Sequence, residues 1–213
     1  TPFASLSSPS IPNPVASPKD STLYRVVVSN EFSCTDTAWV QVNVSKKPVA
    51  DAGEDQYILR GQTAQLSGTA GGTAVTYGWL PVQFMDNPAS LQPVVSPAED
   101  ISYTLEVVSN NGCGTASDVV KVHVFEGLYV PNAFSPNGDG LNDVWNIPAL
   151  RAYPEYEIQV FNRWGQVVYT SKDIGKPWNG RLKDKDLPSG VYAYIIRVKG
   201  LPATLKGWVM LVR

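Results

Sequence analysis

Tyr103-Thr104-Leu105-Glu106-Val107-Val108 and the similar run at residues 119–125 are the clearest indication of the fold in this sequence. In both runs apolar and polar side chains alternate, which is typical of a strand with one buried and one solvated face. The segment between them opens with Ser109-Asn110-Asn111-Gly112, and Asn-Gly between two such runs is a strong hairpin signal. The sequence therefore predicts an antiparallel hairpin inside a β-sheet domain.

Two more strands are predicted upstream of this hairpin, at residues 62–68 and 74–79. In the first strand, Ala64 and Leu66 are expected to point inward. Trp79, in the second strand, is the large side chain expected to pack between two sheets. Together these four strands favour a small β-sandwich.

The hairpin belongs to an internal repeat. Pro14-Val15-Ala16-Ser17-Pro18 matches Pro93-Val94-Val95-Ser96-Pro97 at an offset of 79 positions, and the same offset relates Tyr24 to Tyr103 and Cys34 to Cys113. A period near 80 is the size of a small sandwich domain in a tandem array. Only the second copy is complete. The first shows just its terminal strands, and because a half-sandwich cannot bury its face alone, we expect further such domains upstream.

Composition agrees with an all-β chain and excludes several classes of function. Of the 213 residues, 43% are hydrophobic and 17% are charged, with 17 Gly and 17 Pro, which suits short strands joined by tight turns. The net charge of −2 does not indicate a nucleic-acid partner. One His and two Cys exclude most zinc sites and leave little for acid–base catalysis. No apolar run is long enough to cross a bilayer as a helix.

Charge divides the chain near residue 126. Residues 1–126 carry 6 basic and 12 acidic side chains, whereas residues 127–213 carry 11 basic and 7 acidic ones, a net charge of +4. The second part has its own alternating runs, at residues 156–160 and 190–199, and a hairpin turn at Asn162-Arg163-Trp164-Gly165. The predicted fold is all-β, with tandem antiparallel β-sandwiches. The predicted domains are a truncated first copy with its linker at 1–49, a complete sandwich at 50–126, and a C-terminal sandwich at 127–213.

Long motifs in the C-terminal part carry a family resemblance. It opens with Val130-Pro131-Asn132-Ala133-Phe134-Ser135-Pro136-Asn137-Gly138-Asp139-Gly140, continues with Phe161-Asn162-Arg163-Trp164-Gly165, and closes with Gly207-Trp208-Val209-Met210-Leu211-Val212-Arg213. These blocks, in this order, resemble the gliding-motility-associated C-terminal domain. Small departures are Asn179, where Asp is common, and Ser135, where Thr is common. Residues 50–126 resemble the immunoglobulin-like and PKD-like modules of bacterial surface proteins.

The resemblance implies a C-terminal sorting signal of the type IX secretion system. The implied partners are the translocon and outer-membrane attachment proteins of a Gram-negative bacterium, and the implied location is secreted or on the cell surface, attached to the outer membrane. We expect the C-terminal region of a large, adhesin-like surface protein without a transmembrane segment, and no enzyme or catalytic residue within it. The alternatives are a carbohydrate- or surface-ligand-binding adhesion module and an enzyme located upstream.

A loop of short polar residues is a candidate calcium site. Its side-chain oxygens belong to Asn137, Asp139, Asn142 and Asp143, and hard cations such as Ca²⁺ prefer closely spaced oxygen ligands. Asn, Asp and Gly also build turns unaided, by hydrogen bonding to their own backbone. Both interpretations stay open, with the structural turn favoured; no other cofactor is predicted.

Four tryptophans of the C-terminal part raise the alternative of a carbohydrate platform. These are Trp145, Trp164, Trp178 and Trp208. Exposed, coplanar rings favour sugar binding, whereas a small sandwich also needs bulky side chains to fill its core.

The last strand is the candidate site of partner recognition. It comprises Lys206, Gly207, Trp208, Val209, Met210, Leu211, Val212 and Arg213. As an edge strand it would offer its backbone to a partner, and as an internal strand it would complete the sandwich. Deleting it is expected to leave an exported protein in the periplasm. Cys34 and Cys113 hold the same place in successive copies, too far apart for a disulfide, and Cys113 is expected to be buried.

Overall fold

The chain folds almost entirely into β-strands. The structure, a computed structural model, describes residues 3–213. The strands are β1 (Thr22–Ser29), β2 (Thr35–Val42), β3 (Val49–Asp51), β4 (Gln56–Leu59), β5 (Ala64–Gln65), β6 (Thr69–Gly71), β7 (Val75–Leu80), β8 (Val94–Val95), β9 (Ile101–Ser109), β10 (Thr115–Phe125), β11 (Ala133–Phe134), β12 (Tyr156–Phe161), β13 (Val167–Ser171), β14 (Arg181–Leu182), β15 (Lys185–Asp186), β16 (Gly190–Val198) and β17 (Leu205–Leu211). Two 3-10 helices lie at Phe3–Ser5 and Pro148–Ala152. The predicted all-β fold class is confirmed.

The central unit is an immunoglobulin-like sandwich. Its larger sheet has the strand order β4-β10-β9-β7, and the short pairs β3-β6 and β5-β8 complete the second layer. Ala64 and Leu66 point inward as predicted, and Trp79 fills the core, where it is 2% exposed. The Trp79 indole N–H donates a hydrogen bond to the carbonyl of Ser90 at 3.0 Å, so the buried ring leaves no unpaired donor.

The predicted hairpin of this sandwich is formed by β9 and β10. Their ladder runs from Thr115 opposite Val108 to Val122 opposite Ile101. Compared with the sequence-based prediction, β9 begins two residues earlier and β10 begins four residues earlier. The turn contains Gly112 and Gly114, both with a positive φ that residues other than glycine rarely adopt. Cys113 is half-buried rather than buried as predicted, because it lies in the turn between two exposed glycines and not in a strand of the core. Both cysteines are free.

The first two strands repeat this hairpin with an open face. Tyr24 lies opposite Val40 and Val26 opposite Ala38, which are the positions that correspond to the β9–β10 hairpin. In the complete copy Tyr103, Leu105, Val107, Val120 and Val122 are fully buried. In the first copy Val26, Val28 and Val40 are more than half exposed. The same sequence pattern therefore has a covered face in one copy and an uncovered face in the other.

The C-terminal unit is built on one five-stranded sheet of order β11-β17-β16-β12-β13. Its inner face carries a separate hydrophobic core, formed by Phe134, Trp145, Ile147, Leu150, Ile158, Val160, Val168, Trp178, Tyr192, Ile196, Val198, Val209 and Leu211. The second layer over this core is small. It consists of the β14–β15 hairpin, the 3-10 helix Pro148–Ala152 and an isolated bridge between Trp145 and Trp178. The opposite face of the sheet is not covered by any element among residues 3–213.

The two units meet through one stacked contact. Arg151, at the end of the second 3-10 helix, donates a hydrogen bond to the hydroxyl of Tyr57 on β4 at 2.8 Å. Its guanidinium also lies 5.0 Å from the centre of the Tyr57 ring, and that ring stacks on His123 at 5.1 Å. A cation over an aromatic ring is attractive by about 0.5–1 kcal/mol at an exposed site. The contact therefore favours one arrangement of the two units.

Candidate functional site

The loop at residues 137–143 is held by its own carboxylates. Asp143 accepts hydrogen bonds from the main-chain N–H groups of Gly138 at 2.6 Å and Gly140 at 2.8 Å. Both glycines have a positive φ, which lets their N–H groups converge on one carboxylate. Asp143 is therefore the centre of a turn in which both of its oxygens are already bonded.

The other oxygens of this loop are also used locally. Asp139 accepts from the N–H of Leu141 at 2.7 Å and from the side-chain amide of Asn137 at 2.8 Å. The Leu141 N–H chiefly, and then the Asn137 amide, hold the pKa of Asp139 below its ordinary value. Asn142 has a positive φ, and its main-chain carbonyl accepts from the N–H of Ser135 at 2.9 Å.

This geometry is that of a self-supporting turn. No group of three or more His, Cys, Asp and Glu side chains placed to share a metal ion occurs in residues 3–213. Calcium binding by Asn137, Asp139, Asn142 and Asp143 stays a prediction.

Two of the four C-terminal tryptophans are part of the core. Trp178 is 1% exposed, and its ring centre lies 5.1 Å from those of Phe134 and Tyr192. Trp145 crosses Trp178 nearly at a right angle, and its indole N–H donates to the carbonyl of Pro131 at 2.7 Å. These two rings fill the space between the sheet and the thin second layer, so they offer no flat surface to a ligand.

The other two tryptophans are exposed. Trp164 lies in the turn between β12 and β13, with the guanidinium of Arg163 stacked 4.4 Å from the centre of its ring. Trp208 lies on β17 and points away from the core. The four rings therefore do not form a single platform.

The last strand divides its residues between two faces. Val209 and Leu211 are fully buried in the core, whereas Lys206, Trp208 and Met210 project outward. Gly207 lies on the inner face beneath Tyr194, where a Cβ atom would come within 2.5 Å of the tyrosine hydroxyl. Half of this strand is therefore structural and half is available to a partner.

The last strand, β17, is an edge strand along one part of its length and an interior strand along the other. At Met210 and Leu211 the strand is interior, because β11 pairs with it in parallel on the side away from β16. From Leu205 to Trp208 it pairs with β16 alone within the described chain. The free edge is thus the first half of β17.

Arg213 fastens the end of the sheet to the second layer. Its guanidinium donates to the carbonyls of Leu187 and Gly180, each at 3.1 Å, and pairs with Asp186 at 3.0 Å. Arg181 also pairs with Asp186 at 2.7 Å, and this bond is the main cause of the lowered pKa of that carboxyl. Arg213 therefore serves the fold of this unit.

His123 has a structural environment. Its ring lies against Tyr57, and its Nδ1 atom is 2.9 Å from the carboxylate of Asp100. The main-chain N–H of Val124 donates to the same carboxylate at 2.7 Å. That N–H first, and then His123, lower the pKa of Asp100. His123 is half-buried in the structure.

A groove that was not predicted from the sequence lies at the first hairpin. It has a volume of about 730 Å³ and lies between residues 3–16 and the strands β1 and β2. Its walls include Tyr24, Val26, Val40 and Val42, the counterparts of core residues in the complete copy. Its apolar character is therefore that of a sandwich interior rather than of a ligand site.

The sequence did not single out the outward-facing residues of the neighbouring strands. Val191 on β16 lies directly opposite Met210, and Phe161 on β12 lies opposite Ala193. Each alternating pattern predicts one buried and one solvated face, and it assigns only the inner residues to the core. The signal that was available is that Val191 and Ala193 on β16, like Trp208 and Met210 on β17, are apolar at outer positions.

A comparison with known protein families gives a match to the C-terminal unit. Residues 128–211 match the model of the CHU_C type IX secretion signal domain family. No curated protein matches the sequence. No helix among residues 3–213 has the length and apolar character needed to cross a membrane.

Several solved structures are similar to the chain at low sequence identity. The D00–D0 domain of intimin is 10% identical, with a TM-score of 0.36, over 78% of this chain and 100% of that one. Immunoglobulin domains 1–5 of Sidekick-1 are 14% identical, with a TM-score of 0.37, over 93% of this chain and 47% of that one. Drosophila N-cadherin EC1–4 is 12% identical, with a TM-score of 0.32, over 91% and 57%.

Proposed function

We propose that the type IX secretion signal domain at residues 128–211 makes this chain the exported C-terminal region of an adhesin-like cell-surface protein. In this proposal the translocon of the type IX system recognises the folded domain and passes the protein across the outer membrane of a Gram-negative bacterium. Attachment proteins of the outer membrane then hold the protein on the cell surface. The immunoglobulin-like units act as spacers that carry the functional part of the protein away from the membrane.

The family match of residues 128–211 carries this proposal. The family and the immunoglobulin-like fold are both of non-catalytic kinds. A separate hydrophobic core in the C-terminal unit supports recognition of a folded domain, because residues of several strands can then form one surface. The tandem arrangement of β1–β2 and β9–β10 as copies of one hairpin supports the spacer role.

Transfer of the signal to an inert passenger tests the proposal. Residues 127–213 are fused behind a small passenger that has its own secretory leader, in a bacterium with a type IX system. We expect the passenger to become accessible to protease added outside intact cells, and to stay in the periplasm when the system is deleted. A passenger that stays in the periplasm of the intact strain would refute the proposal.

Deletion of residues 206–213 is a poor test of recognition. The deletion removes Val209 and Leu211 from the core together with the outward residues, so the domain loses its fold as well as its surface. Retention in the periplasm is the expected result. Substitutions that separate the two faces of β17 are needed to distinguish folding from recognition.

The carbohydrate-binding alternative is less well supported by the geometry. Trp145 and Trp178 are core residues, and Arg163 covers one side of Trp164. Only Trp208 presents an uncovered ring on the sheet. Binding of the purified chain to a panel of immobilised bacterial and plant polysaccharides checks this alternative, and retention that depends on Trp208 would favour it.

A further inference from the structure

The outer face of the five-stranded sheet is an uncovered apolar surface. We use the term outer face for Phe161, Val167, Val191, Ala193, Trp208 and Met210. Val191 is 53% exposed and Trp208 is 54% exposed. Soluble proteins rarely leave a contiguous apolar patch of this kind uncovered unless something binds to it.

The register of the strands makes the outer face continuous. Met210 is paired with Val191, and Trp208 with Ala193. Ala193 is in turn paired with Phe161, and Phe161 with Val167. Directly opposite residues of neighbouring strands share a face, so the second row crosses β17, β16, β12 and β13. At a strand spacing of about 4.8 Å, this row extends over roughly 14 Å.

An unpaired positive charge borders the outer face. Lys206 projects from β17 on the same side as Trp208, and it forms no ion pair within residues 3–213. The acidic side chain on this side of the sheet, Glu157, is paired with Arg197 at 3.3 Å. The face therefore suits a partner whose carboxylates surround an apolar centre.

The free edge of β17 adjoins the outer face and offers main-chain groups. The Met210 N–H donates to the carbonyl of Asn132, on the side away from β16. Because main-chain groups alternate in direction along a strand, those of Trp208 and Lys206 point to this same side, where their N–H groups have no protein partner in the described chain. A polypeptide can satisfy such an edge by adding main-chain hydrogen bonds. A lipid surface offers no matching row, so the edge favours a protein as the occupant.

We propose that the outer face, with Lys206 and the free edge of β17, docks a protein surface that is apolar at its centre and acidic at its rim. The proposal rests on the proposed export function, in which the docked partner is a component of the secretion machinery. Trp208 is the central anchor, since buried aromatic side chains dominate the energy of protein interfaces. Lys206 steers the acidic partner and fixes its orientation.

Surface substitutions in the whole chain test this docking site. Val191→Thr with Trp208→Thr removes apolar surface while keeping strand-forming side chains, and Lys206→Glu reverses the steering charge. Leu141→Thr and Lys185→Glu are the matched controls, because both residues are exposed and lie off the outer face. Circular dichroism of each purified variant establishes that it is folded. Export of the 1–213 chain behind a passenger is then measured by external protease.

We expect the face variants to be exported about tenfold less or worse, which corresponds to the loss of one interface anchor. The controls are expected to be exported like the unsubstituted chain. Equal export of face variants and controls would overturn the docking site alone. An unsubstituted chain that stays inside would overturn the export function, and this proposal with it.

Two further measurements distinguish other occupants. Light scattering determines whether the purified chain is a monomer, and a dimer that dissociates on the Trp208 substitution would make a second copy the occupant. Sedimentation with phosphatidylglycerol vesicles measures lipid binding, and binding that is lost with the same substitution would make the membrane the occupant. We expect a monomer that does not sediment with the vesicles, and either contrary result overturns the proposal.

Discussion

Replacement of Trp178 by alanine is expected to unfold the C-terminal unit selectively. The side chain is 1% exposed and contacts the rings of Phe134, Tyr192, Tyr169 and Trp145. A buried aromatic side chain contributes about 200 Å² of buried surface, which at about 25 cal/mol per Å² is about 5 kcal/mol. Measured truncations of buried aromatic residues cost about 3–5 kcal/mol. A domain of this size has a total stability of roughly 4–13 kcal/mol, so the loss is a large part of it.

Hydrogen exchange resolved by mass spectrometry measures this loss in the intact chain. The free energy of opening is compared for amides of β16, which lie in the same unit as Trp178, and of β9, which lie in the other. We expect the value for β16 to fall by about 3–5 kcal/mol, while that for β9 is unchanged.

Trp164→Ala is the matched control, because it removes the same side chain from a position that is 75% exposed. Its effect is expected to stay within about 0.5 kcal/mol. A change below about 1 kcal/mol for Trp178→Ala, or equal effects of the two substitutions, would refute the assignment of Trp178 to the core.

Three further substitutions test particular contacts. Gly207→Ala is expected to lower the free energy of unfolding by about 1–3 kcal/mol, because the added Cβ collides with Tyr194. Gly78→Ala is the control, and because open space surrounds Gly78 it is expected to be neutral or stabilising. Equal melting temperatures of the two variants would contradict the close approach of Gly207 to Tyr194. The pKa of Asp100 is lower in the folded chain than its ordinary value, so its stabilising effect is full above that value and is lost as the pH falls through the folded pKa. Asp100→Asn should therefore weaken the acid dependence of unfolding below about pH 4, and an unchanged dependence in urea titrations at each pH would refute this role. Asp143→Ala is expected to cost about 1–3 kcal/mol equally in calcium and in chelator, through the loss of two main-chain hydrogen bonds; a cost that appears only with calcium, measured by thermal unfolding, would favour a cation site.

Local alternation allowed most of the long strands to be predicted. The hairpin of β9 and β10 and the inward positions of Ala64, Leu66 and Trp79 followed from period-two patterns and an Asn-Gly turn. The family resemblance of the C-terminal part rested on long, ordered motifs, and the family match confirms it. Each of these predictions depends on residues that are close together along the chain.

Long-range pairings could not be predicted in this way. The strand β11 has only two residues, too few for a periodic pattern, and its partner β17 lies more than 70 positions further on. The contact between Arg151 and Tyr57 depends on how two separately folded units meet. Trp164 and Trp178 both have polar neighbours along the sequence. Tertiary packing alone leaves Trp164 exposed and buries Trp178.

The candidate site, too, could be predicted only in part from the sequence. The sequence indicated a last strand at either an edge or the interior of the sheet, but it did not reveal which of its residues face outward or which neighbouring residues share that face. That surface depends on the register of β17 with β16 and of β16 with β12. Register is fixed by turn geometry and core packing over the whole sheet, so residues such as Phe161 and Val191 become neighbours only in the folded unit.

The position of β17 sets the moment during synthesis at which the C-terminal unit can mature. This strand supplies Val209 and Leu211 to the core and lies between β16 and β11, yet it is the last strand of the unit to leave the ribosome. Until it emerges, the inner residues of β16 and β11 lack their neighbour. A nascent polypeptide released before Leu211 therefore never closes this core, so in the proposed function the export machinery receives only translation products that reach that point.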